Sequence, residues 1–176
     1  SARQSAFAWI AQRRWGPITL IKIIDAYVGG KGQLKAILFG SIPVADASGP
    51  ALDLSEAQRY LAELAWCPDA IFQNAGLVWR NVDESHVDVS LGLDQTRKIR
   101  FCFDDHGDVI EIRAEARGSM ENGKLVDRPW IGRFFDYDEI GGRRIPTRGE
   151  VGYVYENGYV AYWRGNITAY RQIKHS

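Results

Sequence analysis

Several residue types and patterns that mark specialised classes of protein are scarce or missing in this sequence. Basic and acidic residues number 22 each, so the formal net charge is zero and no overall field attracts the chain to nucleic acid. No apolar run approaches the roughly 18 residues of a transmembrane helix, and no signal-peptide pattern precedes the first strand pattern. We therefore expect no nucleic-acid partner, no integral membrane segment, and a soluble protein of the cytoplasm or the cell envelope.

Cysteine and histidine are also rare. Cys67 and Cys102 show neither metal-ligand nor Cys-X-X-Cys spacing. A disulfide between them is disfavoured, because one lies at a predicted helix end and the other on a strand face that we interpret as polar. His86, His106 and His175 are scattered, and the chain has no Gly-X-Ser-X-Gly, His-Glu-X-X-His or phosphate-binding motif. We expect no metal, no cofactor and no histidine-based catalysis.

Glycine and aromatic residues, by contrast, are abundant. The chain has 18 glycines and 12% aromatic residues, a combination that suits sheets, where aromatic rings pack on pleated faces and glycine forms turns and bulges. Hydrophobic residues make up 45%, which is enough for a packed core. A length of 176 residues is compatible with one core. The composition predicts a single domain, residues 1–176, that is rich in β-structure.

Three strand patterns separated by turn residues open the chain. β-branched and aromatic residues fill 5–13 and 18–28, and a Gly-Pro pair between them predicts a turn. The glycine-rich stretch 29–32 predicts a second turn, and an apolar run over 34–39 follows it. The pattern predicts three strands in meander order.

A helix is predicted after this meander. Asp53 and Glu56 have the spacing of a capping box, so we expect the helix to begin there and to cover residues 54–66. Its apolar face comprises Leu54, Ala57, Tyr60, Leu61, Leu64 and Ala65, while Glu56, Arg59 and Glu63 lie largely opposite. Pro68 stops the helix or restarts it as a short turn through Ile71 and Phe72.

Strand patterns return after residue 76 and continue towards the C-terminus. Apolar residues alternate with polar ones from Val87 to Leu93, and turn motifs at 106–107, 122–123 and 157–158 predict hairpins. These hairpins place Phe103 opposite Ile110, Phe101 opposite Ile112, Ala114 opposite Ile131, Ile110 opposite Phe135, Gly152 opposite Trp163 and Glu150 opposite Gly165. One apolar face then contains Ile99, Phe101, Phe103, Ile110, Ile112, Ile131 and Phe135. The predicted fold is mainly β (α+β), a curved antiparallel meander or half-barrel of about 9–10 strands with one inserted helix.

Two pairs of polar residues lie in apolar surroundings in the first half of the chain. Asp25 and Tyr27 share a strand face with apolar neighbours, so an inward face would bury a carboxylate that needs a partner. The alternatives are an exposed strand end or a salt bridge with an arginine. Arg59 and Glu63 are spaced for an i, i+4 ion pair on the helix, where a surface pair is the default.

The end of the predicted helix and the second half of the chain offer five further candidates for a ligand-binding site. The predicted register points Glu150 and Arg164 to opposite faces, so one of them faces inward. An inward Arg164 among tyrosines could bind a carboxylate or phosphate head group, and an inward Glu150 could act as an acid or base. Trp66, Trp130 and Trp163 fall at element ends or beside glycines, where they could line a cavity mouth. Core packing is the alternative role for each tryptophan.

Motifs spread over nearly the whole chain identify a family resemblance. The stretches concerned are 25–32, 43–50, 59–66 with Pro68, 130–132, 146–151 and 162–165. Over them the chain resembles the bacterial DUF6544 family, also called DUF6920. The resemblance implies a longer family pattern with residues before Ser1, and it carries no activity. The order of elements is similar to the half-barrel of LolA-type lipoprotein carriers, which implies a curved sheet around a helix and an apolar cavity.

Three hypotheses on function remain open from the sequence. The first is a binding protein that holds an apolar or amphipathic, lipid-like ligand between sheet and helix, with Arg164 or Arg59 at its polar end. The second is an enzyme that uses Asp25, Glu63 or Glu150 as acid or base, which requires two of them to converge in one pocket. The third is a structural or interaction domain that completes its sheet with a partner or a second copy through edge strands.

Overall fold

The computed structural model describes residues 5–92 and 97–171, and two antiparallel sheets make up most of these residues. The first sheet has the order β1-β2-β3-β4, with β1 (Ala6–Trp15), β2 (Ile18–Val28), β3 (Lys31–Leu38) and β4 (Ile42–Ala47). Helices α1 (Pro50–Glu63) and α2 (Asp69–Gln73) follow. The second sheet has the order β11-β10-β9-β8-β7-β6-β5, with β5 (Leu77–Asn81), β6 (His86–Leu91), β7 (Ile99–Phe103), β8 (Val109–Glu121), β9 (Lys124–Ile140), β10 (Arg143–Tyr155) and β11 (Gly158–Asn166).

This architecture confirms the predicted fold class, an antiparallel meander interrupted by one amphipathic helix. The predicted number of about 9–10 strands was too low, since the described residues form eleven. The meander divides into two open sheets, because the helices separate β4 from β5. Leu93, at the end of the predicted alternation, and His175 lie outside the described residues. Among the described helices, none has the length and apolarity needed to cross a membrane.

Helix α1 lies between the two sheets. It contacts β2 and β3 of the first sheet and β6, β7 and β8 of the second. Both sides of the helix are therefore covered, and Glu56 and Gln58 are buried together with Leu61. The prediction that Glu56 lies on a polar outer face was wrong, because periodicity identifies an apolar face but not a second layer that covers the opposite one.

The start of α1 also differs from the prediction. The helix begins at Pro50, one turn before the proposed capping box, because proline at the first helical position has no N–H to leave unpaired. The Asp53 carboxylate caps a neighbouring turn instead: it accepts hydrogen bonds from the Gly32 amide at 2.8 Å and from Lys31 Nζ at 2.9 Å. The restart after Pro68 is confirmed by α2.

Bulges change two of the predicted hairpin registers. The pairing of Phe101 with Ile112 is confirmed, but a bulge at Ile110 of β8 puts Phe103 opposite Val109. The turn at 122–123 forms as predicted, yet a bulge after Ala114 shifts the β8–β9 pairing by one residue. As a result Ala114 faces Trp130, not Ile131. Of the proposed apolar face, Ile99, Phe101 and Ile112 are buried, whereas Ile110 and Phe135 are exposed.

The last hairpin turns at Glu156 and Asn157 rather than at 157–158. Gly152 consequently lies opposite Ala161, and Glu150 lies directly opposite Arg164. The predicted partners of Gly152 and Glu150 were therefore wrong. The displaced turn shifts the register by two residues, and a bulge next to Gly152, where β11 approaches too closely for a Cβ atom, reduces the shift to one residue for Glu150.

The close approach of α1 to β3 generates a stability prediction. A Cβ atom on Gly32 would lie 2.8 Å from the Leu52 carbonyl oxygen and 2.9 Å from Cγ of Glu56. Gly32→Ala should therefore destabilise the protein by about 1–3 kcal/mol, because the helix must move away from the sheet. Urea unfolding measures this, with Gln33→Ala on the exposed face of the same strand as the control. Equal stability of the two variants would contradict the predicted overpacking.

Candidate functional site

A cavity of about 550 Å³ lies between the two sheets, beside the C-terminal half of α1. Most of its lining is aromatic or aliphatic and comes from β1–β3, α1, β8–β11 and the segment after β11. Six of the nine sequence candidates line it: Asp25, Arg59, Glu63, Trp66, Trp130 and Trp163. Strands far apart in the sequence thus bring these side chains to one place.

Arg59 is the charged centre of the cavity wall. Its Nη1 donates to Asp25 Oδ2 at 3.0 Å and its Nε donates to Glu63 Oε1 at 2.8 Å. The guanidinium also lies 5.8 and 5.3 Å from the ring centroids of Phe7 and Trp9. Burial acts to lower the pKa of Arg59, but the two carboxylates outweigh it and raise the pKa above its usual value. The predicted i, i+4 pair exists, but as part of a largely buried triad that includes Asp25.

Glu56 lies behind this triad and was missed as a site residue. Burial, followed by a hydrogen bond with Asp25, raises the pKa of Glu56 to about 8. Asp25 Oδ1 and Glu56 Oε2 are both buried, and neither contacts another donor among the described residues. A proton on Glu56 gives these two oxygens a shared hydrogen bond and avoids an unpaired buried charge.

A second buried cation, Arg117, stands on the other side of Glu56. Its Nη2 lies 4.0 Å from Glu56 Oε1, and its Nη1 donates to the hydroxyls of Tyr153 and Tyr162 at 3.2 and 3.4 Å. The guanidinium lies 5.1 Å from the ring centroid of Trp130, whose indole N–H donates to the Tyr162 hydroxyl at 3.0 Å. Arg117 thus links the helix to the aromatic wall of the cavity.

Trp66 forms the aromatic end of the cavity. Its ring meets Phe134 and Trp163 edge-on, with centroid distances of 5.0 and 6.5 Å. A Cβ atom on Gly149 would lie 2.6 Å from the Trp66 ring, so the glycine makes room for the indole. The neighbouring Cys67 is a free thiol whose pKa burial raises to about 11, which keeps it neutral at ordinary pH.

Three sequence candidates lie outside the cavity lining. Tyr27 is buried and packs against Tyr60, at a centroid distance of 6.1 Å. Glu150 accepts hydrogen bonds from Arg164 at 2.9 Å and from Arg133 at 3.4 Å. The prediction that Glu150 and Arg164 point to opposite faces was wrong, because the shifted hairpin register makes them direct cross-strand partners.

The fold and the cavity define an antiparallel β protein with a cavity lined by two sheets and a helix. The profile described as "Family of unknown function (DUF6920)" matches residues 1–171, and the chain belongs to this family. Searches of curated proteins and of solved structures returned no match. The DUF6544 label and the likeness to LolA-type carriers therefore stay predictions.

The raised pKa of Glu56 generates a prediction on the pH dependence of stability. The unfolded chain ionises this group near pH 4.5, whereas the folded chain retains the proton to about pH 8. Its contribution to stability is therefore full below pH 4.5 and is lost as the pH rises to 8. Glu56→Gln remains neutral, so it should gain on the order of 3 kcal/mol over the wild type between pH 5 and 8.5.

Urea unfolding of both proteins across this pH range measures the gain. Glu84→Gln, on an exposed turn, is the control and should follow the wild type at every pH. Parallel curves for the wild type and Glu56→Gln would show that Glu56 holds no extra proton in the folded state.

Proposed function

We propose that this protein binds an amphipathic small molecule, whose apolar body occupies the cavity between α1 and the two sheets. The observation that carries the proposal is the 550 Å³ space itself, enclosed by aromatic and aliphatic side chains with one ion-paired guanidinium in its wall. Ligand sites in proteins have this size and this combination of apolar lining with a few placed polar groups.

The apolar part of the lining favours a lipid-like or aromatic body. Trp66, Trp130 and Trp163 surround the space together with Phe134 and Ile112. Each methylene group moved from water into such surroundings gains about 0.8 kcal/mol. A chain of several methylenes would therefore provide most of the affinity, and the aromatic rings would restrict its shape.

The charges of the lining favour a neutral or cationic polar end. Asp25 and Glu63 contribute two negative charges and Arg59 one positive charge, so the ionised lining sums to one negative charge. The guanidinium already donates to both carboxylates, and Cys67 is neutral. A carboxylate or phosphate would have to compete with these partners, whereas an amine or hydroxyl group can donate to the carboxylates.

The segment after β11 covers one side of the cavity. Ile167, Ala169 and Tyr170 belong to the lining. The Ile167 amide donates to the Thr147 carbonyl at 2.7 Å, and the Tyr170 hydroxyl donates to Asp69 Oδ2 at 2.8 Å. These contacts hold the segment against β10 and α2, and they support an enclosed ligand rather than one bound on an open surface.

Filling the cavity tests the proposal. Ala62 lines the space from α1, so Ala62→Leu should weaken binding of a long-chain alkylamine by about tenfold. Ala51→Leu, exposed near the start of the same helix, is the matched control and should bind as the wild type does. Isothermal titration with an alkylamine and with a fatty acid of equal chain length measures both the site and its preference for a polar end.

Native mass spectrometry with solvent extraction of the purified protein provides the second measurement. We expect a retained small molecule in the wild type and less of it in Ala62→Leu. Absence of any retained ligand, together with no binding of either probe, would overturn the proposed function. Tighter binding of the fatty acid than of the amine would overturn only the assignment of the polar end.

Carboxylate-based catalysis is the second candidate. Asp25 and Glu63 line the same cavity, as this hypothesis required, whereas Glu150 lies outside it. Both carboxylates accept a hydrogen bond from Arg59, and proton transfer through either would disturb that contact, which favours binding over chemistry. If the extracted ligand is turned over by the wild type while Asp25→Asn binds it without turnover, catalysis is the better description.

A further inference from the structure

Two hairpin tips of the first sheet stand clear of the rest of the protein. Every residue of 12–18 and of 39–46 is exposed, so neither face of the sheet is covered there. Nearer its start, β1 alternates between exposed and half-buried residues, as a strand with one covered face does. The change at residue 12 marks the point where the sheet extends beyond the structure that covers it.

The two tips lie at the same end of the sheet. Trp15 pairs with Ile18 at the end of the β1–β2 hairpin. The Phe39 amide donates to the Leu20 carbonyl at 3.0 Å, which holds the β3–β4 turn beside that hairpin. The side chains of both tips therefore belong to one surface, here called the tip surface, which comprises residues 12–18 and 39–46.

Large apolar side chains dominate the tip surface. The exposed fractions are 78% for Trp15, 61% for Phe39, 56% for Ile18, 53% for Ile42 and 51% for Val44. Phe39 has a φ of 49°, a left-handed conformation that glycine or asparagine adopts more easily than phenylalanine. Turn geometry does not favour an aromatic residue at this position, so the exposed ring calls for another explanation. Contiguous exposed apolar surface of this kind marks interaction sites.

The tip surface carries more positive than negative charge. It contains Arg13, Arg14 and a single acidic residue, Asp46, whose carboxylate lies 3.7 Å from Nζ of Lys35. Within the described residues, Arg13 and Arg14 have no carboxylate at ion-pair distance. Most other arginines of the described residues pair with carboxylates, as Arg100 does with Asp88 at 2.7 Å.

We propose that the tip surface docks on the surface of a lipid bilayer that contains anionic lipids. Tryptophan and other aromatic rings favour the membrane–water interface, and basic residues beside them are attracted to anionic head groups. The apolar tips enter the head-group layer while Arg13 and Arg14 meet phosphates. This docking rests on the exposed residues of the first sheet and is independent of any ligand in the cavity.

A second copy of the chain fits the same surface less well. It would bring a surface of the same net positive charge against this one, and charges of one sign repel each other. Strand pairing between copies is also obstructed, because bulges interrupt β1 at Arg13 and the β3–β4 pairing at Ala36, and Pro43 removes a backbone donor from the β4 edge. The charge and the irregular edges both favour the lipid surface.

Co-sedimentation with vesicles tests the proposal. The wild type should bind vesicles of phosphatidylcholine with about 30% phosphatidylglycerol and should bind pure phosphatidylcholine far more weakly. Trp15→Ala with Phe39→Ala should weaken binding by about tenfold, and Arg13→Glu with Arg14→Glu by about 25-fold or more. Phe72→Ala removes a ring that is 89% exposed on α2 and is the matched control, with unchanged binding.

Two outcomes would overturn the proposal. One is equal binding of all variants, or no binding of the wild type to anionic vesicles. The other is a wild-type dimer in light-scattering chromatography that Trp15→Ala with Phe39→Ala converts to a monomer, which would assign the tip surface to a second copy. Thermal unfolding of each variant, expected to match the wild type because these side chains are exposed, shows that any loss of binding does not come from unfolding.

Discussion

The position of α1 between two sheets is the constraint on which the rest of the structure depends. A helix on the outside of a sheet can direct its charged residues to water, but here both sides are covered, so Glu56, Arg59 and Arg117 must be neutralised within the protein. Buried charges are tolerated only when paired or protonated. Arg59 pairs with two carboxylates, and the proton on Glu56 satisfies Asp25. Arg117 donates to the hydroxyls of Tyr153 and Tyr162 and lies over the ring of Trp130. The polar network is therefore the condition under which this helix can occupy the middle layer.

The same placement explains why the cavity lies where it does. At the N-terminal half of α1, Gly32 lets the helix approach β3 closely, and the Asp53 carboxylate holds the adjoining turn. At the C-terminal half of α1, Ala62 has a small side chain, and just beyond the helix Trp66 packs against Gly149 of the opposite sheet. Close contact at one end and a bulky aromatic ring at the other leave a space beside the second half of the helix. Gly32 thus permits the close contact of α1 with β3, and the small side chain of Ala62 leaves room for the cavity.

Periodicity and turn residues predicted the antiparallel meander and the inserted helix, because each follows from local pattern. For Asp25 they left open a buried carboxylate, an exposed strand end and a salt bridge with an arginine. They also selected six residues that line the cavity, since tryptophans at element ends and charges in apolar surroundings mark such a wall. Glu56 and Arg117 were missed, because the spacing of apolar residues along a helix does not show whether a second sheet covers its other face. The register changes at the bulges near Ala114 and Gly152 were also missed, because no particular amino-acid composition marks an extra residue in a strand. The displaced turn and the bulge near Gly152 together turned Glu150 and Arg164 from residues on opposite faces into partners.

The cavity and the tip surface are built on the same strands. Trp9 lines the cavity from β1, and Trp15 ends that strand at the tip surface six residues later. A rise of about 3.3 Å per residue separates the two tryptophans by about 20 Å. A docked protein would therefore hold the cavity above the head groups, close enough for a lipid-like ligand to be exchanged but not continuous with the bilayer. Because β1 contributes to both the cavity and the tip surface, a substitution at one end of the strand must be tested for its effect on the other end. Exposed residues of the tip surface are the safer probes, since no core packing depends on them.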